Sequence, residues 1–415
     1  MKKALFVFLI LFALLLIPTA AFAAPTVSAE AAILMDADTG QIIFAKNIHT
    51  KLYPASITKI LTAALALENL KADDIITVSH DAVFTLPVGT SHIALDENEQ
   101  ISVDDLLYAL MLPSANDAAN VLAEQVAGTQ TAFVAMMNAK AQEAGAQNSN
   151  FCNAHGLPDE NHYTTAYDMA KIMAYALKKP GFLTYSGTTR HQIKPTNKQA
   201  ETRYLASFHK MINDTSADKW PLENGTVISG KTGWTKISRS TMVTAAENQD
   251  MRLICVVLDC ANHEACCQDT QALFNYGFCN FNKMTLDKDT LLQQINQCFN
   301  QADKPYKYNL AGYFSFLAPK GGSLEGIDFH FNDRATAQNG SISLILLNND
   351  ALRAYPLTNI YYAKLQASVN KNIIKIVIVV LIALILFFIL LLLLRQVVHR
   401  RSSPYYYRYK KQKRR

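Results

Sequence analysis

A serine and a lysine, Ser56 and Lys59, stand three residues apart at the start of an apolar run. Apolar residues recur at helical spacing as far as Leu67, and Pro54 has the fixed backbone angle of a first helical turn. Residues three apart share one face of a helix, so the two side chains are expected to point the same way. The stretch predicts a helix that opens with a serine beside a lysine.

Such a pair suits nucleophilic catalysis. A serine hydroxyl attacks well when a base removes its proton, and a lysine is that base when burial or a second cation lowers its pKa. The spacing alone is not specific, because three further pairs have it: Ser207/Lys210, Ser216/Lys219 and Ser368/Lys371. Partner motifs elsewhere must support the assignment.

Two apolar segments near the ends predict export and membrane anchoring. Two lysines precede the apolar run 4–17 and the small-residue site Ala21–Ala23, the layout of a signal peptide over residues 1–23. Ile376–Leu394 has nineteen residues without a charge, enough to cross a bilayer as a helix, with a buried core helix as the alternative. Nine Lys or Arg and no Asp or Glu follow in 395–415, which predicts a cytoplasmic tail and an extracytoplasmic catalytic domain.

The charge balance differs between these parts. Subtracting the nine tail charges and the two N-terminal lysines from the formal net charge of +5 leaves −6 for the exported part. The basic tail suits anionic lipid headgroups, and nothing in the exported part is typical of a nucleic-acid surface.

Seven cysteines are present, an odd number, and five lie between residues 255 and 279. In an exported chain some can pair, which leaves at least one unpaired or bridged to another molecule. No C-x-x-C doublet is present, so disulfides or buried thiols are favoured over a metal site. The cysteines are Cys152, Cys255, Cys260, Cys266, Cys267, Cys279 and Cys298.

Residues 24–282 are predicted to form an α+β domain. A hairpin at 31–47 and two strands near the end, 243–246 and 252–258, enclose a helical region. Sheet at both ends with helices between predicts one antiparallel sheet assembled from the two termini, with helices packed on it. The predicted helices after Ser56 are 102–112, 115–126, 131–145, 165–178 and 265–278, with capping boxes Ser102-x-x-Asp105 and Thr165-x-x-Asp168.

The sequence pattern changes near Lys283. Short strand-like runs at Tyr308–Phe316, Ile327–Phe331 and Ser341–Leu347 predict a small β-rich domain over 283–366. This region contains no catalytic grouping, so a spacer or binding role is expected.

Two further motifs supply partners for Ser56. Ser114 and Asn116 stand between two predicted helices, where the hydroxyl can pass a proton to a leaving amine and the amide can hold Lys59 and a substrate carbonyl. A helix cap is the alternative. In Lys231-Thr232-Gly233, ahead of strand-like sequence, the first two side chains can hold a carboxylate and the glycine lets a ligand lie against an edge strand. The alternative is an ordinary turn with a surface lysine.

In this order S-x-x-K, S-x-N and K-T-G match the set of the penicillin-binding proteins and serine β-lactamases. Over about residues 30 to 280 the chain resembles the low-molecular-weight penicillin-binding proteins that are serine-type D-alanyl-D-alanine carboxypeptidases. The segments that carry the resemblance are Pro54–Lys59, Ser114–Ala119, His155–Leu157, His162–Asp168 and Gly230–Thr235. The resemblance implies a β-lactamase/transpeptidase-like α+β catalytic domain and a small β-domain that holds it off the membrane, here followed by the transmembrane helix.

The resemblance also implies a reaction. Enzymes of this family remove the terminal D-alanine from peptidoglycan stem pentapeptides and are acylated by penicillins and other β-lactams, without a metal or cofactor. Carried onto this chain, Ser56 is the nucleophile, Lys59 the general base and Ser114 the proton relay. The implied substrate-binding residues are Asn116, Lys231, Thr232, Gly233 and Trp234: Lys231 and Thr232 grip the carboxylate, and the backbone N–H groups of Ser56 and Trp234 form the oxyanion hole.

The chain departs from the family pattern at two places. Ser238-Arg239 stands where Ala-Gly is usual, and the stretch 202–205 lacks the asparagines usual there. Both departures bear on substrate preference and turnover.

Three other interpretations are open. They are a serine β-lactamase-like hydrolase, a catalytically weak peptidoglycan-binding relative, and a zinc D,D-peptidase that uses His155, Asp159 and His162. The sequence has neither a Glu-x-x-Leu-Asn deacylation loop nor an H-E-x-x-H motif, and Ser56 and Lys59 are both intact. The serine carboxypeptidase is therefore favoured.

Overall fold

The computed structural model describes residues 24–212, 219–287, 314–320, 327–331, 344–345 and 363–365. The predicted signal peptide, transmembrane helix and basic tail lie outside these residues. Within the described ranges no helix is both long and apolar enough to span a membrane. The described chain divides into two units.

Antiparallel strands form the frame of the first unit. They are β1 (Ala31–Asp36), β2 (Ile42–Lys46), β3 (Ile75–Thr77), β4 (Gln100–Ser102), β5 (Arg190–Ile193), β6 (Arg203–Ala206), β7 (Thr226–Thr235), β8 (Arg239–Glu247), β9 (Arg252–Cys260), β10 (Phe281–Leu286) and β11 (Phe314–Pro319). The main sheet has the order β2-β1-β9-β8-β7, while β3-β4, β5-β6 and β10-β11 form separate pairs. The predicted hairpin and the predicted sheet built from both ends of the domain are confirmed, because β1 pairs with both β2 and β9.

Helices cover the main sheet. They are α1 (Lys59–Asn69), α2 (His80–Phe84), α3 (Val103–Met111), α4 (Asn116–Ala127), α5 (Gln130–Glu143), α6 (Ala166–Ala176), α7 (Phe182–Gly187) and α8 (His263–Asn280). Leu34 and Leu253 of the sheet belong to one apolar cluster with Phe274 of α8. Ile33 and Ile254, which point to the opposite face, are also fully buried. Both faces of the sheet are therefore covered, which explains why β1 is apolar over residues 31–35 and β9 over residues 253–258.

The helix N-caps that the two capping boxes predict are confirmed. The Oγ atom of Ser102 accepts the backbone N–H of Asp105 at 3.1 Å, and that of Thr165 accepts the N–H of Asp168 at 3.0 Å. Each contact satisfies one backbone donor that a helix start leaves without an internal partner. A four-residue pattern thus fixes the first turns of α3 and α6 locally.

Two sequence expectations need correction. Ser56 does not lie in an α-helix but in a 3₁₀ turn, Ala55–Thr58, which runs into α1 at Lys59. In a 3₁₀ turn residues three apart are eclipsed, so Ser56 and Lys59 still share a face. Lys231-Thr232-Gly233, expected ahead of strand-like sequence or in a turn, itself lies inside a strand, β7, at the edge of the main sheet, and β8 follows it. Its glycines and polar residues have weak strand propensity, and pairing with β8 overrides it.

The six described cysteines are free thiols. Cys255, Cys260, Cys266 and Cys267 are fully buried in the apolar cluster between the sheet and α8. Burial raises the pKa of the Cys255 thiol, because the core stabilises no thiolate. The structure thus favours buried thiols for these residues, and Cys298 lies outside the described residues.

The second unit contains β12 (Ile327–Phe331), β13 (Leu344–Ile345) and β14 (Ala363–Leu365), in the sheet order β13-β12-β14. The strand predicted at 327–331 is confirmed. The small β-rich domain over 283–366 stays a prediction.

Candidate active site

The turn that carries Ser56 is held from two sides. On one side, Thr241 Oγ1 in β8 donates to the carbonyl oxygen of Pro54 at 2.8 Å. On the other, Gly156 lies so close that a Cβ atom there would be 1.9 Å from the carbonyl oxygen of Ala55. Ala55 itself adopts a φ of +51°, a left-handed conformation that costs energy for a residue other than glycine. The surrounding contacts therefore impose the backbone of the turn.

Lys59 is fully buried, and its Nζ atom has three polar contacts. Asn116 Oδ1 and the carbonyl oxygen of His155 each lie at 2.7 Å, and Ser56 Oγ lies at 3.1 Å. The first two atoms can only accept hydrogen bonds. A neutral amine has two N–H bonds and one lone pair, so once Asn116 and His155 take the N–H bonds, the lone pair faces Ser56 Oγ. This arrangement fits a base that receives the serine proton.

Charge in the site favours the neutral amine. Burial lowers the pKa of Lys59 well below its usual value, and the cation of Lys231 lowers it further, while the carboxylate of Asp117 acts in the opposite direction. Burial likewise lowers the pKa of Lys231 to about 7. The site thus meets the electrostatic condition for a lysine base.

Ser114 stands in the loop between α3 and α4 with a φ of +65°. Its Oγ atom is buried and has no hydrogen-bond partner among the described residues. The loop is held in place because the N–H of Asn116 donates to the carbonyl oxygen of Ser91 at 2.8 Å, and the buried carboxylate of Asp117 accepts from the N–H groups of Ile93 and Leu95. A strained residue with a buried, unpartnered hydroxyl, two positions before the Asn116 amide that contacts Lys59, is typical of a functional position.

β7 forms the opposite wall. Lys231 is almost fully buried, and its Nζ donates to the carbonyl oxygen of Thr232 at 2.9 Å. A Cβ atom at Gly233 would lie 2.8 Å from the backbone nitrogen of Ser56, so only glycine allows this approach. Because β7 is an edge strand, alternate backbone N–H groups point away from β8 and are available to a ligand.

An open cleft of about 440 Å³ joins these walls. It brings together five of the eight predicted site residues, while Lys59, Asn116 and Lys231 are buried and are not among its lining residues. Sequence reasoning missed four lining residues, Ser91, Phe208, Lys210 and His263, which lie outside the three motifs assigned to the site. The lining consists of Ser56, Ser91, Ser114, Phe208, Lys210, Thr232, Gly233, Trp234 and His263.

Two buried histidines lie behind the nucleophile. His162 accepts the N–H of Cys152 at Nδ1, so its Nε2 carries the proton and donates to Thr58 Oγ1 at 2.9 Å. His155 accepts the N–H of Leu157 at Nδ1. Burial lowers the pKa of His162 to about 4 and that of His155 well below its usual value. Both imidazoles are neutral and hold the loop that packs on the Ser56 turn.

The zinc interpretation finds no support in this geometry. In the part of the chain that the structure describes, the one group of three side chains close enough to hold a metal ion is Asp104, Asp105 and His191. Its members already contact the protein: His191 Nε2 lies 2.7 Å from Asp105 Oδ1, and Tyr185 donates to Asp104. His155, Asp159 and His162 form no such group.

Neither departure from the family pattern enters the cleft lining. Ser238 closes the turn between β7 and β8 by accepting the N–H of Thr235 at 3.0 Å. Arg239 adopts a φ of +52°, where glycine is the favoured residue, and pairs with Asp259 at 2.9 Å. In the stretch 202–205, Arg203 forms an ion pair with the buried Glu99 at 2.7 Å.

Comparison with known proteins identifies the family. The model of the D-alanyl-D-alanine carboxypeptidases, peptidase family S11, matches residues 19–262, more than half of the chain. The chain belongs to this family. It is similar to the D-alanyl-D-alanine carboxypeptidases DacF of Bacillus subtilis, 30% identical over 266 residues, and DacC of Escherichia coli, 34% identical over 279 residues. Each match covers 63% of this chain and 64% of the relative, so the chain spans just under two thirds of the length of these carboxypeptidases.

Solved structures agree with this family assignment. Penicillin binding protein 6B of Escherichia coli matches with a TM-score of 0.61 and 25% identity, covering 76% of this chain and 91% of that one. A mutant of the Streptomyces K15 DD-transpeptidase matches with a TM-score of 0.56 and 28% identity, covering 61% and 99%. The α+β penicillin-binding/transpeptidase fold with its antiparallel sheet, expected for a D-alanyl-D-alanine carboxypeptidase, is confirmed.

Proposed function

We propose that this chain is a serine-type D-Ala-D-Ala carboxypeptidase that removes the terminal D-alanine from peptidoglycan stem pentapeptides through an acyl-enzyme on Ser56. We also propose that penicillins acylate the same serine. The observation that carries the proposal is the three-way contact of Lys59 Nζ, which leaves its lone pair facing Ser56 Oγ. Membership of the family supports the substrate class.

In the acylation step, the hydroxyl of Ser56 gives its proton to Lys59 while its oxygen attacks the carbonyl carbon of the penultimate D-alanine. The substrate carbonyl oxygen becomes negative and is received by the backbone N–H groups of Ser56 and Trp234. Support comes from the edge position of β7 and from the close approach of Gly233 to the nitrogen of Ser56.

In the next step the peptide C–N bond breaks, and the proton held by Lys59 reaches the leaving amine through Ser114. The unused, buried hydroxyl of Ser114 supports this relay. Lys231 and Thr232 hold the carboxylate of the departing D-alanine, and Asn116 holds Lys59 together with a substrate carbonyl. Water then attacks the ester, and Ser56 is regenerated with the shortened peptide as product.

A labelled penicillin tests the proposal. When Ser56 opens the β-lactam ring, the leaving nitrogen stays tethered to the adduct, so a long-lived covalent label is expected. We expect one label per chain on Ser56, none in Ser56→Ala, and an undiminished label in Ser91→Ala, which removes another hydroxyl of the same cleft. Release of D-alanine from a pentapeptide is expected in the wild type and in Ser91→Ala but not in Ser56→Ala. The rate of release is expected to be unchanged when a chelator is added. Chelator-sensitive release without a label would overturn the serine mechanism.

We further propose that the enzyme is exported and anchored by Ile376–Leu394, with residues 395–415 in the cytoplasm and the β-rich region 283–366 as a spacer. The uncharged run and the basic tail support this topology. The labelled chain is expected in the membrane fraction, and a chain that ends before residue 370 in the soluble fraction. Recovery of the full chain without detergent would contradict the anchor.

A further inference from the structure

The segment Ser207–Lys210 crosses one end of the cleft. It starts at the Ser114 loop, where the N–H of Phe208 donates to the carbonyl oxygen of Leu112 at 3.2 Å. It then reaches β7, where His209 packs on Gly230: a Cβ atom on that glycine would lie 2.5 Å from His209 Nε2. Phe208 and Lys210 both line the cleft. The segment therefore connects the two walls that hold Ser114 and Lys231.

The order of residues along β7 tells which end this is. Ser56 faces Gly233, and the proposed carboxylate grip, Lys231 and Thr232, precedes that glycine along β7. With the leaving group held there, the acyl part of the substrate extends in the opposite direction, towards Trp234. Thr232 and Gly230 follow in the other direction. Lys210, next to the residue that packs on Gly230, therefore lies at the end that receives the leaving D-alanine, beyond the carboxylate grip.

This end of the cleft is cationic. Lys210 and Lys231 both act electrostatically on His263, the first residue of α8, and none of the nine lining residues is acidic. Glu264 Oε1 lies 3.6 Å from Lys210 Nζ, with both side chains partly exposed. His263 also has a buried Nε2 atom without a hydrogen-bond partner among the described residues. The surroundings thus suit an anionic group.

We propose that Lys210 is a second cationic contact for the free carboxylate of the leaving D-alanine, outside the grip of Lys231 and Thr232. This inference rests on the proposed function. The substrate carboxylate competes with Glu264 for Lys210. Lys210 thereby raises the preference for a free C-terminus over a leaving group that lacks a negative charge. Lys210 is thus a specificity residue of the carboxypeptidase reaction, and no motif of the family contains it.

The test uses two substrates that differ only in this charge: an N-acyl-D-alanyl thioester of thioglycolate, and the same thioester with the carboxylate methylated. Both are activated, so both rates are measurable without a strong grip on the leaving group. In Lys210→Met the ratio of kcat/KM for the acid to that for the ester is expected to fall about tenfold, the size of one charge-assisted hydrogen bond. Lys210→Arg is expected to restore most of the ratio.

Lys198→Met is the matched control, because it removes one positive charge from an exposed position that does not line the cleft. It is expected to keep the wild-type ratio. If the wild-type enzyme hydrolyses both thioesters and Lys210→Met has an unchanged ratio, the role of Lys210 is wrong. If the wild-type enzyme hydrolyses neither thioester and releases no D-alanine, the proposed function itself fails.

Discussion

Replacing Lys59 by methionine is expected to slow the acylation of Ser56 by penicillin by about 10³-fold, the typical size of a general-base contribution. Methionine fills a similar volume but offers no lone pair to the serine proton. The change leaves Asn116 Oδ1 and the carbonyl oxygen of His155 without their donor, at about 1 to 3 kcal/mol each. Removal of a buried amine offsets part of that cost, so the variant is expected to fold. Rates of label incorporation and a thermal melt check both points.

Lys171→Met is the matched control. Lys171 in α6 is a half-buried lysine whose pKa burial also lowers, and it does not line the cleft. Its variant is expected to acylate at the wild-type rate. Wild-type acylation in Lys59→Met would rule out the lysine base.

A variant without the charge of Lys231 tests independently whether Lys59 is the general base. Since the Lys231 cation lowers the pKa of Lys59, Lys231→Met is expected to raise that pKa. Lys59 then becomes protonated at a higher pH than in the wild-type enzyme. The acidic limb of the pH profile of acylation is therefore expected to move to higher pH. An unchanged profile would show that the titrating group is not Lys59.

Replacing Gly156 by alanine is expected to lower the free energy of unfolding by about 3 kcal/mol or more and to abolish most acylation. Gly156 has a φ of +89°, and the added Cβ atom would lie 1.9 Å from the carbonyl oxygen of Ala55 and 3.0 Å from the nitrogen of Ser56. Both contacts are with backbone, which cannot rotate away. The nucleophile turn or the loop must therefore move. Denaturant unfolding and penicillin labelling measure the two effects.

Gly128→Ala is the control that measures the energetic cost of a left-handed backbone conformation without a steric clash. Gly128 ends α4 with a φ of +78°, but a Cβ atom there would meet nothing within 4 Å. Only the left-handed penalty of about 1 to 2 kcal/mol is expected, with the label intact. Equal losses of stability in the two variants would show that Gly156 does not press on the Ser56 turn.

Local patterns explain which parts of the fold were predictable. The caps at Ser102 and Thr165 depend on one side chain and a backbone group three residues away, so the sequence contains the whole interaction. β1 and β9 contain continuous apolar runs, over residues 31–35 and 253–258, and such runs predict buried strands without any knowledge of the tertiary contacts. β7 has no such pattern, because its polar and glycine residues serve the cleft, and only pairing with β8 makes it a strand.

The residues of the candidate site also fall into two groups: those that the sequence motifs predict and those that only the folded chain brings to the cleft. The motifs pointed to Ser56, Lys59, Ser114 and Thr232, and the structure brings these residues to one place. Phe208 belongs to no motif, and Lys210 only to an S-x-x-K pair that the sequence analysis did not assign to the site. Both residues reach the cleft because their segment crosses between two distant walls. The contact of Lys59 with the carbonyl oxygen of His155 was equally invisible, because a backbone acceptor has no signature in the side-chain sequence.

The sequence by itself determined the nucleophile, its lysine, the order of the motifs and a mixed fold with sheet at both ends, because each of these depends on residue type and short spacing. Only the tertiary structure decided the state of Lys59 and the lining of the cleft. The direction of the Lys59 lone pair depends on two acceptors, Asn116 Oδ1 and the carbonyl oxygen of His155, which lie 57 and 96 residues away along the chain. The pKa of the Lys59 amine depends on desolvation and on the cation of Lys231 in β7, and both effects exist only once the chain has folded.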